Sequence, residues 1–133
     1  MRAIQGPADG LVLHGKVVDG AGEPVPDAVV EVWSAGSNRQ RAAFSRAIVD
    51  ASGEYTIRAA VPAEGYLTMA IFARGLLRHL TTRVYLDETR NDDVFQSVSE
   101  ARRRTLIATR EATSYRFDVH LQGPDETVFF EFA

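Results

Sequence analysis

The stretch of sequence that decides the fold is Tyr66-Leu67-Thr68-Met69-Ala70-Ile71-Phe72-Ala73-Arg74-Gly75. Residues 67–72 are nearly all apolar, and a short apolar run between turn residues is typical of a strand that is buried on both faces. The preceding residues, 62–65, contain proline and glycine and indicate a turn. We therefore predict a central β-strand that has Arg74 and Gly75 at its end.

Other short segments on both sides of this strand alternate between apolar and polar residues, which predicts further strands. The predicted strands are residues 11–18, 28–33, 44–49, 54–60, 82–86, 115–121 and 128–132. The turn sequence Asp50-Ala51-Ser52-Gly53 predicts that the third and fourth of these strands pair as a β-hairpin. A helix is predicted from Glu100 to about Arg110, with Ser99 as its N-cap. The pattern predicts an all-β, antiparallel β-sandwich with one late α-helix.

Composition limits the class of protein. The chain has 133 residues, 45% hydrophobic and 25% charged, which fits one globular domain. We expect residues 1–10 to form a short N-terminal arm and residues 11–133 to form a single domain. The chain has no cysteine, so disulfides and thiolate metal sites are excluded. The net charge of −3 argues against nucleic-acid binding. No apolar run is long enough for a membrane span or a secretory signal, so a cytoplasmic location is expected.

Three segments carry a family resemblance: residues 66–86, residues 115–123 and residues 126–132. They resemble the intradiol ring-cleaving dioxygenases and, within that family, the alpha subunits of protocatechuate 3,4-dioxygenase, which carry no iron. The resemblance covers residues 11–132 and implies a β-sandwich of the transthyretin-like, intradiol dioxygenase type. Compared with such subunits the chain is short, with less of the N-terminal arm and with shorter loops around residues 34–44 and 60–66.

The iron ligands of the catalytic subunits in this family have no counterpart here. Those subunits hold ferric iron, a hard cation, with two tyrosines and two histidines. Where they have His-x-His, this chain has Tyr66-Leu67-Thr68, and the loop after Trp33 contains no tyrosine. The chain's histidines have no metal-binding spacing: His14, His79 and His120. The resemblance therefore implies no metal in this chain, and Fe(III) in a partner subunit.

Arg74 is the main candidate for a binding residue. From its position alone, after an apolar strand and before Gly75, it is either a solvated surface arginine or a presented binding group. In the resembled subunits, the arginine of this motif reaches across the subunit boundary and helps hold the anionic substrate. A guanidinium matches a carboxylate with two parallel hydrogen bonds. Gly75 would let the backbone approach closely. Further candidates for the shared site or the interface are Arg78, His79 and Arg83.

The resemblance implies a non-iron, alpha-type subunit of a heteromeric intradiol catechol dioxygenase. Such a chain would shape the active site of an iron-bearing beta-type partner and help bind a carboxylated catechol, and it would be inactive alone. No catalytic residue is expected in this chain. The alternative is a non-enzymatic, transthyretin-like sandwich that serves as a binding or assembly module. A stand-alone iron enzyme is disfavoured by the missing ligands.

Overall fold

A computed structural model describes residues 10–34, 43–62, 64–86 and 92–131. The predicted N-terminal arm and the predicted loop over residues 36–43 fall almost entirely outside these ranges, so the predicted domain boundary stays a prediction. The nine strands of the described residues are β1 Leu11–Val18, β2 Val29–Ser34, β3 Ala43–Ile48, β4 Glu54–Ala59, β5 Tyr66–Phe72, β6 Leu80–Tyr85, β7 Thr109–Arg110, β8 Tyr115–Arg116 and β9 Val119–His120.

The strands form two packed sheets, which confirms the predicted β-sandwich. One sheet has the order β4-β1-β8-β7, with β9 also paired to β1, and the other has the order β3-β2-β5-β6. Alternate side chains of both sheets point into one core, as period-two patterning requires. Leu13 and Ile57 of one sheet and Val32, Leu67 and Met69 of the other are fully buried in it.

The central strand β5 is confirmed in position but only partly in burial. It lies between β2 and β6. Met69, Ala70 and Ile71 are buried consecutively, as expected of a strand covered on both faces. Phe72, however, is 39% exposed, and Thr68 is half-buried. The outer face of the four-stranded sheet is therefore open to solvent at both of these positions.

The hairpin predicted over residues 44–60 is wrong. β3 pairs with β2, whereas β4 pairs with β1 in the opposite sheet, so the turn at residues 50–53 crosses the edge of the sandwich. Asp50 shapes the crossing, because its carboxylate accepts hydrogen bonds from the backbone of Ser52 and Glu54 at 2.9 Å each. Both strands bury alternate residues in the same core, so the alternation does not reveal which sheet each strand joins.

The antiparallel prediction needs a second correction, because β1 pairs in parallel with β8 and β9. Parallel strands need a long connection, and the chain supplies one by passing through the four-stranded sheet and two helices before it returns to β1. The predicted strand over residues 115–121 is also interrupted at Phe117 and Asp118. Its alternation nevertheless persists, since Phe117 and Val119 are both buried.

The late helix also differs from the prediction. Residues Glu100–Leu106 form a 3-10 helix, and Ser99 makes no side-chain capping bond. The backbone N–H of Ala108 donates to the Tyr85 carbonyl at 2.8 Å, which draws the chain onto β6 and ends the helix early. The α-helix, α1, is Asp93–Ser97, with Asp92 as its N-cap. Neither helix has the length and apolar character needed to cross a membrane.

The predicted closing strand over residues 128–132 does not form within the described residues. One β-bridge joins Phe130 to Thr81, and the Thr82 hydroxyl donates to the Val128 carbonyl at 2.7 Å. These contacts hold the segment against the free edge of β6. Phe132 lies outside the described residues.

Candidate functional site

A tight turn follows β5 and presents the main candidate residue. The Leu76 N–H donates to the Ala73 carbonyl at 3.2 Å, and Gly75 adopts a φ of +87° between them. A Cβ on Gly75 would meet nothing within 4 Å, so the left-handed backbone, and not a lack of space, favours glycine here. The prediction that Arg74 lies at the end of the central strand is confirmed.

Arg74 is exposed on this turn, and no hydrogen bond or ion pair joins its guanidinium to the residues that the structure describes. Arg78 and His79 are exposed on the same segment. The His79 ring packs against the Phe72 ring, with their centroids 5.0 Å apart. The turn therefore brings together four of the five candidate residues: Arg74, Gly75, Arg78 and His79.

A cleft of about 460 Å³ lies beside the turn, between Arg78 and His79 on one side and the C-terminal segment on the other. Phe129 and Phe130 give it aromatic walls, and Glu126, Thr81 and Glu131 give it polar ones. Acidic and basic groups face each other across the cleft, so its own charge does not select an anion. Arg74 does not line it.

Arg83, the fifth candidate, lies apart from the turn. It is paired in register with Thr68, four residues before the end of β5, a separation of roughly 13 Å along the strand. Its guanidinium carbon lies 4.1 Å from the centroid of the Tyr66 ring. Nη1 of Arg83 donates to the Tyr85 hydroxyl at 3.1 Å and to Asp92 Oδ2 at 3.3 Å. Arg83 is thus engaged within its own chain.

We call Tyr66, Arg83, Tyr85 and Asp92 the arginine–tyrosine cluster. Burial raises the pKa of Tyr85, and the hydrogen bond and charge of Arg83 oppose that rise. The rings of Tyr66 and Tyr85 lie 5.4 Å apart, and the ring of Phe95, which projects from α1, meets Tyr85 edge-on at 4.9 Å. The cluster therefore joins α1 to the edge of the four-stranded sheet.

Asp92 is a residue of this cluster that the sequence analysis did not single out. Its Oδ1 accepts hydrogen bonds from the backbone of Val94 at 2.8 Å and Phe95 at 3.1 Å, while Oδ2 meets Arg83. An aspartate two residues before an apolar pair is a recognisable N-cap signal. The ion pair with Arg83 has no comparable local signal, because it depends on how β6 and α1 pack.

The residues around Tyr66 and Thr68 do not fit a ferric ion. The Arg83 cation already covers the Tyr66 ring, and a nearby positive charge opposes the binding of another cation. Among the described residues, no group of three or more histidine, aspartate, glutamate or cysteine side chains could hold a metal ion. Most of the loop after Trp33, where the resembled catalytic subunits place a tyrosine ligand, lies outside those residues.

The other two histidines have separate surroundings. His14 Nε2 lies 2.7 Å from Glu111 Oε1, and this contact, together with the Ser114 hydroxyl, lowers the pKa of the exposed Glu111 carboxyl. His120 lines a polar cleft of about 250 Å³ whose rim carries two ion pairs, Arg104–Asp125 and Arg116–Asp118. Neither histidine lies beside the Arg74 turn.

Curated proteins with similar sequences, and not a family model, show which family this chain belongs to. No protein-family model matches the chain. The protocatechuate 3,4-dioxygenase alpha chain of Pseudomonas putida is 35% identical over 156 aligned positions, which cover 95% of this chain and 78% of that protein. The corresponding alpha chain of Burkholderia cepacia is also 35% identical, over 93% of this chain and 79% of its own length.

Solved structures show the same fold at lower identity. The dioxygenase domain of a dioxygenase–carbohydrate-binding protein fusion from Streptomyces sp. SirexAA-E has a TM-score of 0.64 at 19% identity, covering 88% of this chain and 82% of that chain. Catechol 1,2-dioxygenase from Acinetobacter sp. ADP1 has a TM-score of 0.63 at 20% identity, covering 84% of this chain and 52% of that chain. The chain therefore belongs to the intradiol dioxygenases, in the family of protocatechuate 3,4-dioxygenase alpha chains.

Proposed function

We propose that this chain is the non-iron subunit of a heteromeric, cytoplasmic intradiol dioxygenase that acts on a carboxylated catechol. Its relatives are designated alpha chains, a name that implies a second type of chain in their assemblies. In this proposal the partner, a beta-type homologue, holds the ferric iron, which supplies the chemistry for inserting dioxygen into the ring. The present chain supplies one wall of the pocket and a cation for the substrate.

The observation that carries the proposal is the exposed Arg74 turn. Arg83 is held by an aromatic ring, a hydroxyl and a carboxylate, whereas Arg74 has no such partner among the described residues. A planar guanidinium with free N–H groups can donate two parallel hydrogen bonds to a carboxylate. Gly75 leaves the space beside the turn open, so another chain can approach the backbone closely.

The roles of the neighbouring residues follow from their positions. Arg74 would bind and orient the substrate carboxylate, and Arg78 and His79 would border the interface beside it. The stacking of His79 on Phe72 would fix the second end of the turn. Arg83 would support the wall indirectly, by holding β6, β5 and α1 together.

The test is reconstitution with an iron-bearing homologue that carries the two tyrosines and His-x-His. Co-expression should give a stable complex that opens a carboxylated catechol, whereas the present chain alone should be inactive. Obligate interfaces commonly bury roughly 2,000 Å² or more, so the complex should survive size exclusion. A chain that ignores such partners would favour the binding-module alternative.

Within that complex, Arg74→Ala should lower kcat/KM for the carboxylated substrate by about 25-fold or more. This figure follows from a loss of roughly 2–5 kcal/mol when one member of a desolvated charge pair is removed. Iron content and assembly size should not change. Arg74→Lys should recover only part of the loss, because an ammonium cannot make the paired hydrogen bonds. Arg110→Ala removes another exposed arginine, on β7, and is the matched control.

An unchanged kcat/KM in the Arg74→Ala complex would exclude Arg74 from substrate binding while leaving the subunit assignment intact. Loss of the complex itself would instead make Arg74 an interface residue. A catechol without a carboxylate gives a further check, since its turnover should respond little to either Arg74 variant.

A further inference from the structure

The outer face of the four-stranded sheet is apolar at both ends of its strands. By this name we mean the side chains of β3, β2 and β5 that point away from the core. One row of residues paired in register is Ile48, Val29 and Phe72, and another is Phe44, Trp33 and Thr68, of which only Thr68 on β5 is polar. Phe44 is 53% exposed and Ile48 is 56% exposed, so large apolar side chains face solvent here. Such a face is a common sign of an interaction surface.

The row between these two contains Glu31 of β2 and Arg46 of β3, the two charged side chains of the outer face. Arg46 donates to Glu31 Oε2 from Nη2 at 2.6 Å and from Nε at 3.0 Å. The guanidinium also lies 5.8 Å from the centroid of the Phe44 ring. The row therefore has one cation and one anion side by side and no net charge, and an already paired cation and anion are less costly to cover than single charges.

We infer that the outer face is the interface between two copies of this chain. A twofold axis that runs parallel to the strands, between β2 and β3, places Arg46 of one copy over Glu31 of the other. The same axis lays the β2 and β3 residues of each apolar row over those of the other copy, and it leaves Phe72 of β5 outside the overlap. A surface with one cation and one anion flanking such an axis is complementary to itself, as an isologous interface must be. Sheets stack face to face in this way at about 10 Å.

The area of the outer face determines how strongly two copies are expected to associate. With the axis between β2 and β3, two strands of six residues, spaced about 4.8 Å apart, lie over their counterparts and give a footprint of roughly 200 Å². A stable interface usually needs about 800 Å² on each partner. The apolar rows would therefore form only the centre of the contact, and the dimer should be reversible, with a Kd in the micromolar range.

Sedimentation of the purified chain alone tests the dimer without any partner subunit. The wild-type chain should associate between about 10 and 200 µM, the range that brackets a micromolar Kd. Ile48→Glu places a charge in an apolar row and should weaken association at least tenfold. Val61→Glu changes a valine that is more accessible than Ile48, 71% exposed, in the connection between β4 and β5, and should leave association unchanged. Circular dichroism of each variant checks that the sandwich still folds.

Reversing the charge of Arg46 in one variant and of Glu31 in another distinguishes a salt bridge across the interface from a salt bridge within one chain. Arg46→Glu gives a chain with two acids in the middle row, and Glu31→Arg gives a chain with two bases. Each variant alone should be monomeric, because like charges meet across the axis. Mixed together they should form a heterodimer, which a salt bridge confined to one chain would not produce.

Results of three kinds would overturn the inference. One is a wild-type chain that stays monomeric throughout the concentration range. Another is association that survives Ile48→Glu, or a mixture of charge variants that stays monomeric. The third is a monomeric chain whose binding to an iron-bearing homologue is abolished by Ile48→Glu, which would assign the face to that partner. Since the sedimentation test uses this chain alone, its failure leaves the proposed function standing.

Discussion

Tyr55 carries a hydroxyl group into the core of the sandwich. The hydroxyl donates to the Phe117 carbonyl at 2.5 Å, and the residue is only 2% exposed. Burial is the largest cause that raises the pKa of Tyr55 well above its ordinary value; the charge of Asp118 adds to the rise and that of Arg116 opposes it. The bond connects β4 to the junction between β8 and β9, so one side chain links two parts of the five-stranded sheet.

We predict that Tyr55→Phe lowers the free energy of unfolding by about 1–3 kcal/mol at pH 7, because the Phe117 carbonyl is left buried without this donor. Below a pH of about 10, Tyr55 keeps its proton in both states, and its contribution is complete. Above that pH the unfolded chain loses the proton first, so this contribution falls as pH rises.

The stability difference between wild type and Tyr55→Phe should therefore narrow above pH 10, by up to about 1.4 kcal/mol per pH unit. Urea denaturation at pH 7 and in the alkaline range measures it. Tyr115→Phe, at a half-buried tyrosine, is the control and should show little change. A difference that stays constant with pH would mean that Tyr55 ionises equally in both states.

Arg74 and Arg83 show how far single residues can be interpreted from sequence. The position of Arg74 is predictable, because an apolar run followed by glycine indicates a strand end, and β5 ends at Phe72. The surroundings of Arg83 cannot be predicted from the sequence, because its partners come from β5, from β6 and from the N-cap of α1. Contacts of that kind depend on packing, which no local pattern encodes.

At the level of elements, the junction between β8 and β9 depends on Gly15. The Phe117 N–H donates to the His14 carbonyl at 2.8 Å, and the Lys16 N–H donates to Asp118 Oδ1 at 2.9 Å. A Cβ on Gly15 would lie 1.9 Å from the Phe117 carbonyl oxygen, far inside contact distance. The two C-terminal strands can approach β1 only because this position carries no side chain.

Gly15→Ala should therefore destabilise the fold by about 1–3 kcal/mol or more, the cost of forcing backbone apart in a packed region. Gly20→Ala is the matched control, since the nearest atom to its added Cβ is in the exposed side chain of Gln122, at 3.2 Å. Thermal unfolding of both variants compares the two positions. Equal stability of the variants would mean that β8 and β9 shift away from β1 without cost.

The elements also show which parts of the fold follow from sequence. Period-two alternation, and for β5 an uninterrupted apolar run, predict the six long strands to within two residues of their ends, because each buries a face in the core. It does not predict partners, and so β3 and β4 were assigned to one hairpin although they lie in opposite sheets. The predicted α-helix over residues 100–110 is wrong for a related reason. A backbone hydrogen bond from Ala108 to Tyr85 of β6 outweighs helical propensity there.

At the scale of the whole molecule, the Arg74 turn and the outer face of the four-stranded sheet can be occupied at the same time. The Arg74 turn leaves the sheet beyond the end of β5, whereas the proposed twofold axis runs between β2 and β3. Pairing of two copies through the outer face would therefore be centred away from the turn. The arginine–tyrosine cluster lies on β5, β6 and α1, and stabilises the opposite edge of the same sheet.

The charge and burial of the arginine–tyrosine cluster lead to a final prediction: the isolated chain retains no ferric iron. Tyrosine binds iron only after losing a proton, and burial raises the pKa of Tyr85. The Arg83 guanidinium, 4.1 Å from the Tyr66 ring centroid, would repel a trivalent cation at this position. After incubation with ferric iron and desalting, metal analysis should find far less than one iron per chain, and no tyrosinate-to-iron absorption band should appear. The complex with an iron-bearing homologue, treated in the same way, is the positive control and should show both. Stoichiometric iron with that band in the isolated chain would mean that the cluster rearranges to bind metal, and the chain would then carry a site of its own.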